Sequence, residues 1–156
     1  MSQAEQLANR LEEVFLNGTW IANTNWKDQL NQTSYNNAIL QLGTVNSIAS
    51  LTFHITYYLK GVLQVMQGGG LTIKDKYSFD CPALENEADW ETQKNELITT
   101  AEMFVSAVRN LNEAQLQADF ADPKYGTYAR NLEAIIEHSY YHLGQVVLLR
   151  KTMSEC

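Results

Sequence analysis

The sequence predicts an all-α protein: a four-helix bundle with long connections between its first and second and between its second and third helices. Three observations predict it. Four separate segments carry apolar residues at the 3–4 spacing of a buried helical face. Only two prolines interrupt 156 residues, well below the usual ~5%. The long stretches between the segments, one of them rich in Asn, Thr and Gln, read as connections. With 45% hydrophobic and 10% aromatic residues, the chain is expected to fold as one domain, residues 1–156, large enough to bury a core without disulfides.

The first helix is expected over Ala4 to Leu16, with Leu7, Leu11 and Val14 on one stripe. The second runs from about Ser47 to Met66, with Ile48, Leu51, Ile55, Tyr58, Leu59, Val62, Val65 and Met66 facing inward, and Gly68-Gly69-Gly70 stops it. The third is expected from a cap at Asp89 to Leu111, with Trp90, Leu97, Ala101, Phe104, Val108 and Leu111 in near-heptad spacing. The fourth runs from a cap at Thr127 to Lys151, through Tyr128, Leu132, Ile135, Ile136, Leu143, Val146 and Leu149. Asp and Thr suit these starts because their side-chain oxygens accept a free first-turn N–H. Asn112 with Gln115 has the spacing of a capping box, for a short helix between the third and fourth.

The connections bear on topology. The first is expected to pack on the bundle as a strap through Trp20, Trp26 and Leu30, with a helical turn at Trp26 to Leu30. The second is long enough for an extended chain to travel back along a 20-residue helix of ~30 Å, so the second and third helices are expected to lie parallel, joined by a crossover.

Charge excludes some partners. The formal net charge is −7. Lys124 with Arg130, and Arg150 with Lys151, are isolated pairs that make no basic patch, so no nucleic-acid or anionic-membrane partner is expected. The apolar run Val146 to Leu149 is far below the ~20 residues of a membrane span. Cys81 and Cys156 are the only cysteines, Cys156 reads as a frayed last residue, and no secretory leader is evident; a reducing, cytoplasmic location is expected.

The chemistry-bearing residues are His54, His138 and His142, the whole histidine complement. His138 and His142 are four apart on the fourth helix and rise from one face. At 100° per residue all three lie roughly 70–110° from the centre of their apolar stripes, flanking the core of two helices. If those helices are neighbours, three imidazoles converge into a metal site with open positions, the pattern of a catalytic site. The competing role is that of half-buried polar residues in a structural bundle. The segment His138-Ser139-Tyr140-Tyr141-His142 lacks the glutamate of a zinc protease. No glutamate has a histidine three residues later, which removes a ferritin-like di-iron site.

Around the histidines, Ser50 and Tyr58 lie one turn either side of His54, and Gln145 three residues after His142. Each is a candidate to orient a ligand. Core packing is the preferred role of Tyr58, and a solvated flank the alternative for Gln145. Glu137 points about 100° away from His138 and is rejected as a base. Cys81, before Pro82 and without a nearby histidine, is a poor nucleophile candidate. Phe53, Tyr57, Tyr140 and Tyr141 fall partly off the core stripes and are expected to form a dimer face; packing under the linkers, with Trp20 and Trp26, is the alternative.

The run Glu137-His138-Ser139-Tyr140-Tyr141-His142-Leu143-Gly144-Gln145 resembles the last-helix signature of the DinB/YfiT-like superfamily, and Ile48 to His54 resembles its second-helix histidine segment. Lys74 to Asp80 is similar to a stretch of a bacterial subgroup without a settled activity. The resemblance spans the chain to Lys151. It implies an up-down-down-up four-helix bundle, often a homodimer. It also implies a divalent metal ion, commonly nickel or zinc, held by His54, His138 and His142 with water in the open positions. Characterised relatives include thiol S-transferases that use bacillithiol or mycothiol and a thiol-dependent maleylpyruvate isomerase. The function it implies is transfer of a low-molecular-weight thiol to a small electrophile. Metal-activated water for hydrolysis, a non-catalytic metal sensor or store, and a structural or partner-binding bundle stand as alternatives.

Overall fold

The computed structural model describes residues 1–155, and Cys156 lies outside the described residues. Seven α-helices and no β-strand occur among the described residues: α1 Gln3–Glu12, α2 Trp26–Asn31, α3 Tyr35–Ile39, α4 Ile48–Met66, α5 Glu87–Arg109, α6 Glu113–Gln117 and α7 Tyr128–Glu155. The four segments of helical period are α1, α4, α5 and α7. None of the described helices is long and apolar enough to cross a membrane.

The helix starts follow side-chain capping. Ser2 Oγ accepts the Glu5 N–H at 3.1 Å while the Glu5 carboxylate accepts the Ser2 N–H at 2.8 Å, a reciprocal box that begins α1. At its other end α1 widens into a π-helical turn, Glu13–Asn17, so the helical path reaches one residue past Leu16. Ser47 caps α4 through the Ser50 N–H at 3.1 Å, and Thr127 caps α7 through the Arg130 N–H at 3.2 Å. The start of α5 differs from the sequence expectation. Its cap is Asn86, which accepts the Asp89 N–H at 3.0 Å, and Asp89 instead reaches back to accept the Glu85 N–H at 2.8 Å. Two cap-formers three residues apart compete here, and the upstream one gains because Asp89 then still satisfies a second N–H. The Asn112–Gln115 box begins α6 as expected.

The first connection packs on the bundle through two indoles. Trp26 is buried and donates its Nε1–H to Ser139 O of α7 at 3.0 Å. Trp90 of α5 is buried and donates to Thr33 O of the connection at 2.9 Å. Leu30 is buried with them, but Trp20 is 86% exposed and takes no part in the strap. The short helix α3 had no periodic signal at five residues; its Ser34 cap and the burial of Ala38 fix it.

Of the four long helices, α1 packs on α5, α5 on α4, α4 on α7 and α7 on α1. Their inward faces form one apolar core that includes Leu11, Phe15, Leu51, Ile55, Trp90, Phe104, Leu132 and Val146. After Met66 the chain leaves α4 at Gly68, whose φ of +91° lies in the left-handed region that favours glycine. It then returns along α4 as an irregular segment that carries Ile73 against Gly61. A Cβ at Gly61 would sit 2.5 Å from Ile73 Cδ1, so only glycine admits this approach. This returning segment lies over the histidines.

Candidate metal centre

His54 stands in the middle of α4, and His138 and His142 stand one turn apart on α7. The packing of α4 on α7 turns all three inward. One ring nitrogen from each lies within 4.8 Å of the other two. His138 Nε2 is 3.2 Å from His54 Nε2 and 2.8 Å from His142 Nε2. His54 and His142 are only 5% and 6% exposed, and His138 is half-buried.

Hydrogen bonding on the far side of two rings sets their tautomers. His54 Nδ1 faces the carbonyl oxygen of Ser78 at 3.1 Å, and His142 Nδ1 faces Gln145 Oε1 at 2.7 Å. Both partners are acceptors, so both Nδ1 atoms carry the proton and both Nε2 atoms carry a lone pair. His138 Nε2 then stands between two lone pairs with at most one proton to offer. The other hydroxyls buried on these helices need nothing from the cluster. Thr52, Thr56 and Ser139 bond back to the carbonyls of Ile48, Thr52 and Ile135 at 2.8, 2.8 and 2.6 Å. With the His138 proton on Nδ1, three imidazole lone pairs converge and make a donor set for a cation.

Two of the three nitrogen separations suit the same role, and the third pair lies within 4.8 Å. Two nitrogens held about 2.0–2.1 Å from one ion, at angles between 90° and tetrahedral, are about 2.9–3.4 Å apart. The two Nε2 separations, 2.8 and 3.2 Å, lie close to that range. Electrostatics agree. Burial lowers the His54 pKa to about 4, against the opposing pull of the Ser78 carbonyl and with a further lowering from the other two histidines. Burial, then His142, lowers His138 to about 4. Burial also lowers His142, with Gln145 opposing. All three are neutral at neutral pH, the state in which imidazole ligates metals.

Several neighbours come from places that local sequence spacing does not reveal. Phe79 stacks on His54, with ring centroids 3.9 Å apart and planes 8° apart. Tyr58 meets His138 edge-on at 5.4 Å and donates its hydroxyl to Asp75 Oδ1 at 2.8 Å. Tyr58 is therefore at the rim of the cluster as well as against the core, where packing alone was the expectation. Tyr57 holds the segment at Lys74, accepting from its N–H at 2.8 Å and donating to its carbonyl at 2.9 Å. Ser78, Phe79 and Asp75 were missed as site residues because they lie more than 15 residues from His54 in the chain; the run Lys74 to Asp80 was their one signal.

The other candidates sort clearly. Gln145 touches the cluster, as one of its two expectations held. Ser50 does not orient His54; its N–H and hydroxyl engage Ser47 in the cap of α4. Glu137 faces outward to Arg130 at 3.5 Å. Burial pushes the Cys81 thiol up, with the Gln93 amide opposing, which disfavours a nucleophilic thiolate. Among the aromatics of the expected dimer face, Tyr141 is 64% exposed, whereas Phe53, Tyr57 and Tyr140 are half-buried and Trp26 is core.

The sequence profile of the DinB superfamily matches residues 19–146, which takes in all three histidines and the segment above them. The chain belongs to the DinB superfamily. No curated protein and no solved structure matches it. In this DinB-superfamily chain, then, a largely buried three-histidine group on two core helices could hold a metal ion.

Proposed function

We propose that His54, His138 and His142 are the ligands of one divalent cation, nickel or zinc, and that the protein is a metal-dependent transferase joining a low-molecular-weight thiol to a small electrophile. The observation that carries this reading is the convergence of three Nε2 atoms, two of them fixed as lone-pair donors by Ser78 and Gln145. A structural trio of histidines would satisfy those nitrogens with N–H or O–H donors. Three neutral protein ligands leave coordination positions open and suit either metal.

The up-down-down-up order of the long helices belongs to the same reading. It is supported by cross-helix neighbours. Arg109 at the end of α5 meets Asn9 and Glu12 of α1 at 3.0 and 2.9 Å, while Leu16, further along the first helical path, shares a cleft with Glu102, earlier in α5, as antiparallel helices do. Ala49 of α4 approaches Cys81, which is bound to Gln93 early in α5, and Lys60 further along α4 pairs with Glu96. A homodimer through α7 is supported by its exposed Tyr141 and Leu148.

When bound, the cation supplies a Lewis acid that favours negative charge on sulfur. The chain's own residues do the rest. Ser78 O and Gln145 Oε1 hold two imidazoles in the ligating tautomer. Phe79 covers the face of His54 and keeps water from it. A cavity of about 310 Å³, bordered by His138 and Tyr58, adjoins the cluster and gives a small electrophile a place to lie. In the reaction the thiol loses its proton to solvent, sulfur forms the new S–C bond, and the leaving group departs with its electron pair.

The test is turnover by the metal-loaded protein with a panel of thiols and monochlorobimane, which loses chloride and becomes fluorescent on conjugation. Conjugation faster than with the free metal, abolished in His142→Ala, is expected. A rate no greater than that of the metal alone contradicts the transferase. It would favour a metal-binding protein without turnover, a second reading that the Phe79 cover over His54 supports.

A further inference from the structure

The cavity beside the triad has a chemical character of its own. Its body is apolar: Val62, Leu71, Ile73, Phe120 and Ile135 line it, from α4, the returning segment, the α6–α7 connection and α7. At about 310 Å³ it stands at the small end of ligand pockets. Its polar atoms are mostly acceptors, with the Tyr125 hydroxyl and the second ring nitrogen of His138 as the donors. Tyr58 uses its hydroxyl proton on Asp75, leaving its oxygen lone pairs. Asp75 offers a carboxylate. Asn131 directs both amide hydrogens to backbone, to Tyr125 O at 2.9 Å and Thr127 O at 2.8 Å, which leaves its Oδ1. His138 turns its Nε2 to the other histidines. No lysine or arginine lines the cavity among the described residues.

We infer that this cavity is the binding site of the electrophile and selects an uncharged or cationic molecule with an apolar, ring-sized body and a hydrogen-bond-donating head, excluding carboxylates and other anions. The assignment as the electrophile's site rests on the transferase reading; the selection of ligands rests on the cavity alone. The acceptors on Tyr58, Asp75 and Asn131 take N–H and O–H groups, and Asp75, the one charged group in the lining, repels an anion. The apolar wall supplies affinity through buried area, and the rim fixes which end meets His138. Asp75 is the specificity-determining residue in this arrangement, and Ala134, also in the wall, is the place where bulk would fill the space.

Two fluorescent probes separate these statements. N-phenyl-1-naphthylamine is neutral with one N–H, and 1-anilinonaphthalene-8-sulfonate has the same rings with an added anion. The neutral probe is expected to bind with a blue shift, and the sulfonate at least about tenfold more weakly. Asp75→Asn should close most of that gap. Ala134→Phe should weaken the neutral probe by at least about tenfold, with the helical circular dichroism and melting transition showing that the variant is folded. Equal binding of the two probes, or a neutral probe indifferent to Ala134→Phe in the folded variant, would overturn the inference. If Ala134→Phe does not fold, the Asp75→Asn comparison decides alone. Metal content measured on the same samples keeps the two ideas apart: probe selectivity without metal sinks only the transferase reading, and metal without probe selectivity sinks only the pocket.

Discussion

Where α1 meets α5, the buried side chains are Leu7, Ala8 and Leu11 from one helix and Ala101, Phe104 and Val108 from the other, with Arg109, Asn9 and Glu12 bonded at the edge. Where α4 meets α7, the apolar stripe is interrupted by three imidazoles whose nitrogens face one another. Both seams join helices that line the one apolar core. The first gains its stability from area removed from water and from close packing. The second gives up part of that gain, because neutral imidazoles are buried at the expense of their hydration and their protons. A bundle built for packing alone would place aliphatic residues at both seams. The difference is what the proposed metal site requires of the second seam.

That contrast breaks first at the histidines. His138→Ala is expected to weaken metal binding by more than about a hundredfold, beyond the loss typical of an outer-shell partner, in competition with a chromophoric chelator. Unchanged affinity would reduce the second seam to ordinary packing. On the first seam, Phe104→Ala should behave in the opposite way. It should lower stability by about 3–5 kcal/mol in urea unfolding and leave the metal content of the folded protein unchanged. Gln145→Leu keeps the side-chain bulk but removes the acceptor for His142 Nδ1. A loss of about 10–100-fold in metal affinity is expected, smaller than for a ligand, and no loss would show that Gln145 does not orient the ring.

Acidity separates the seams without mutation. His54 and His138 have folded pKa values near 4, below their ordinary 6.5, so in the metal-free protein the unfolded chain takes up more protons between those limits. Stability is therefore full above pH 6.5, falls as pH drops toward about 4, and stays at that lowered level, falling no further on account of these groups, below it. Melting temperatures across that window should show the fall in the metal-free protein and a weaker dependence in His138→Phe. A smaller effect marks the helix start itself: Ser47→Ala at the cap of α4 should cost about 1 kcal/mol by the same unfolding assay.

What the chain order conceals explains which parts of this were legible. The four long helices follow from the 3–4 spacing of residues such as Leu51, Ile55 and Leu59, which is local information. So do the cap at Thr127 and the Asn112–Gln115 box. The start of α5 depends on whether Asn86 or Asp89 is satisfied first, a choice the sequence permits both ways. His54, His138 and His142 stood out because the chain holds no other histidine and all three flank a core face. Their surroundings did not, because the Ser78 carbonyl, the Phe79 ring and the Asp75 carboxylate reach them only through the path of the α4–α5 connection. A backbone carbonyl leaves no mark in the residue types. Tyr58 misled for a related reason: a tyrosine on the edge of an apolar stripe packs its ring inward while its hydroxyl finds a partner on a distant loop.

The central claim is that three imidazoles grip one ion. Its most direct test is elemental analysis of the protein purified without a histidine tag, stripped, reloaded with nickel or zinc and freed of excess, beside His142→Ala. About one divalent ion per chain, lost from the variant, is the expected result. Less than about a tenth of an ion per chain after reloading, or equal loading of the variant, would contradict it.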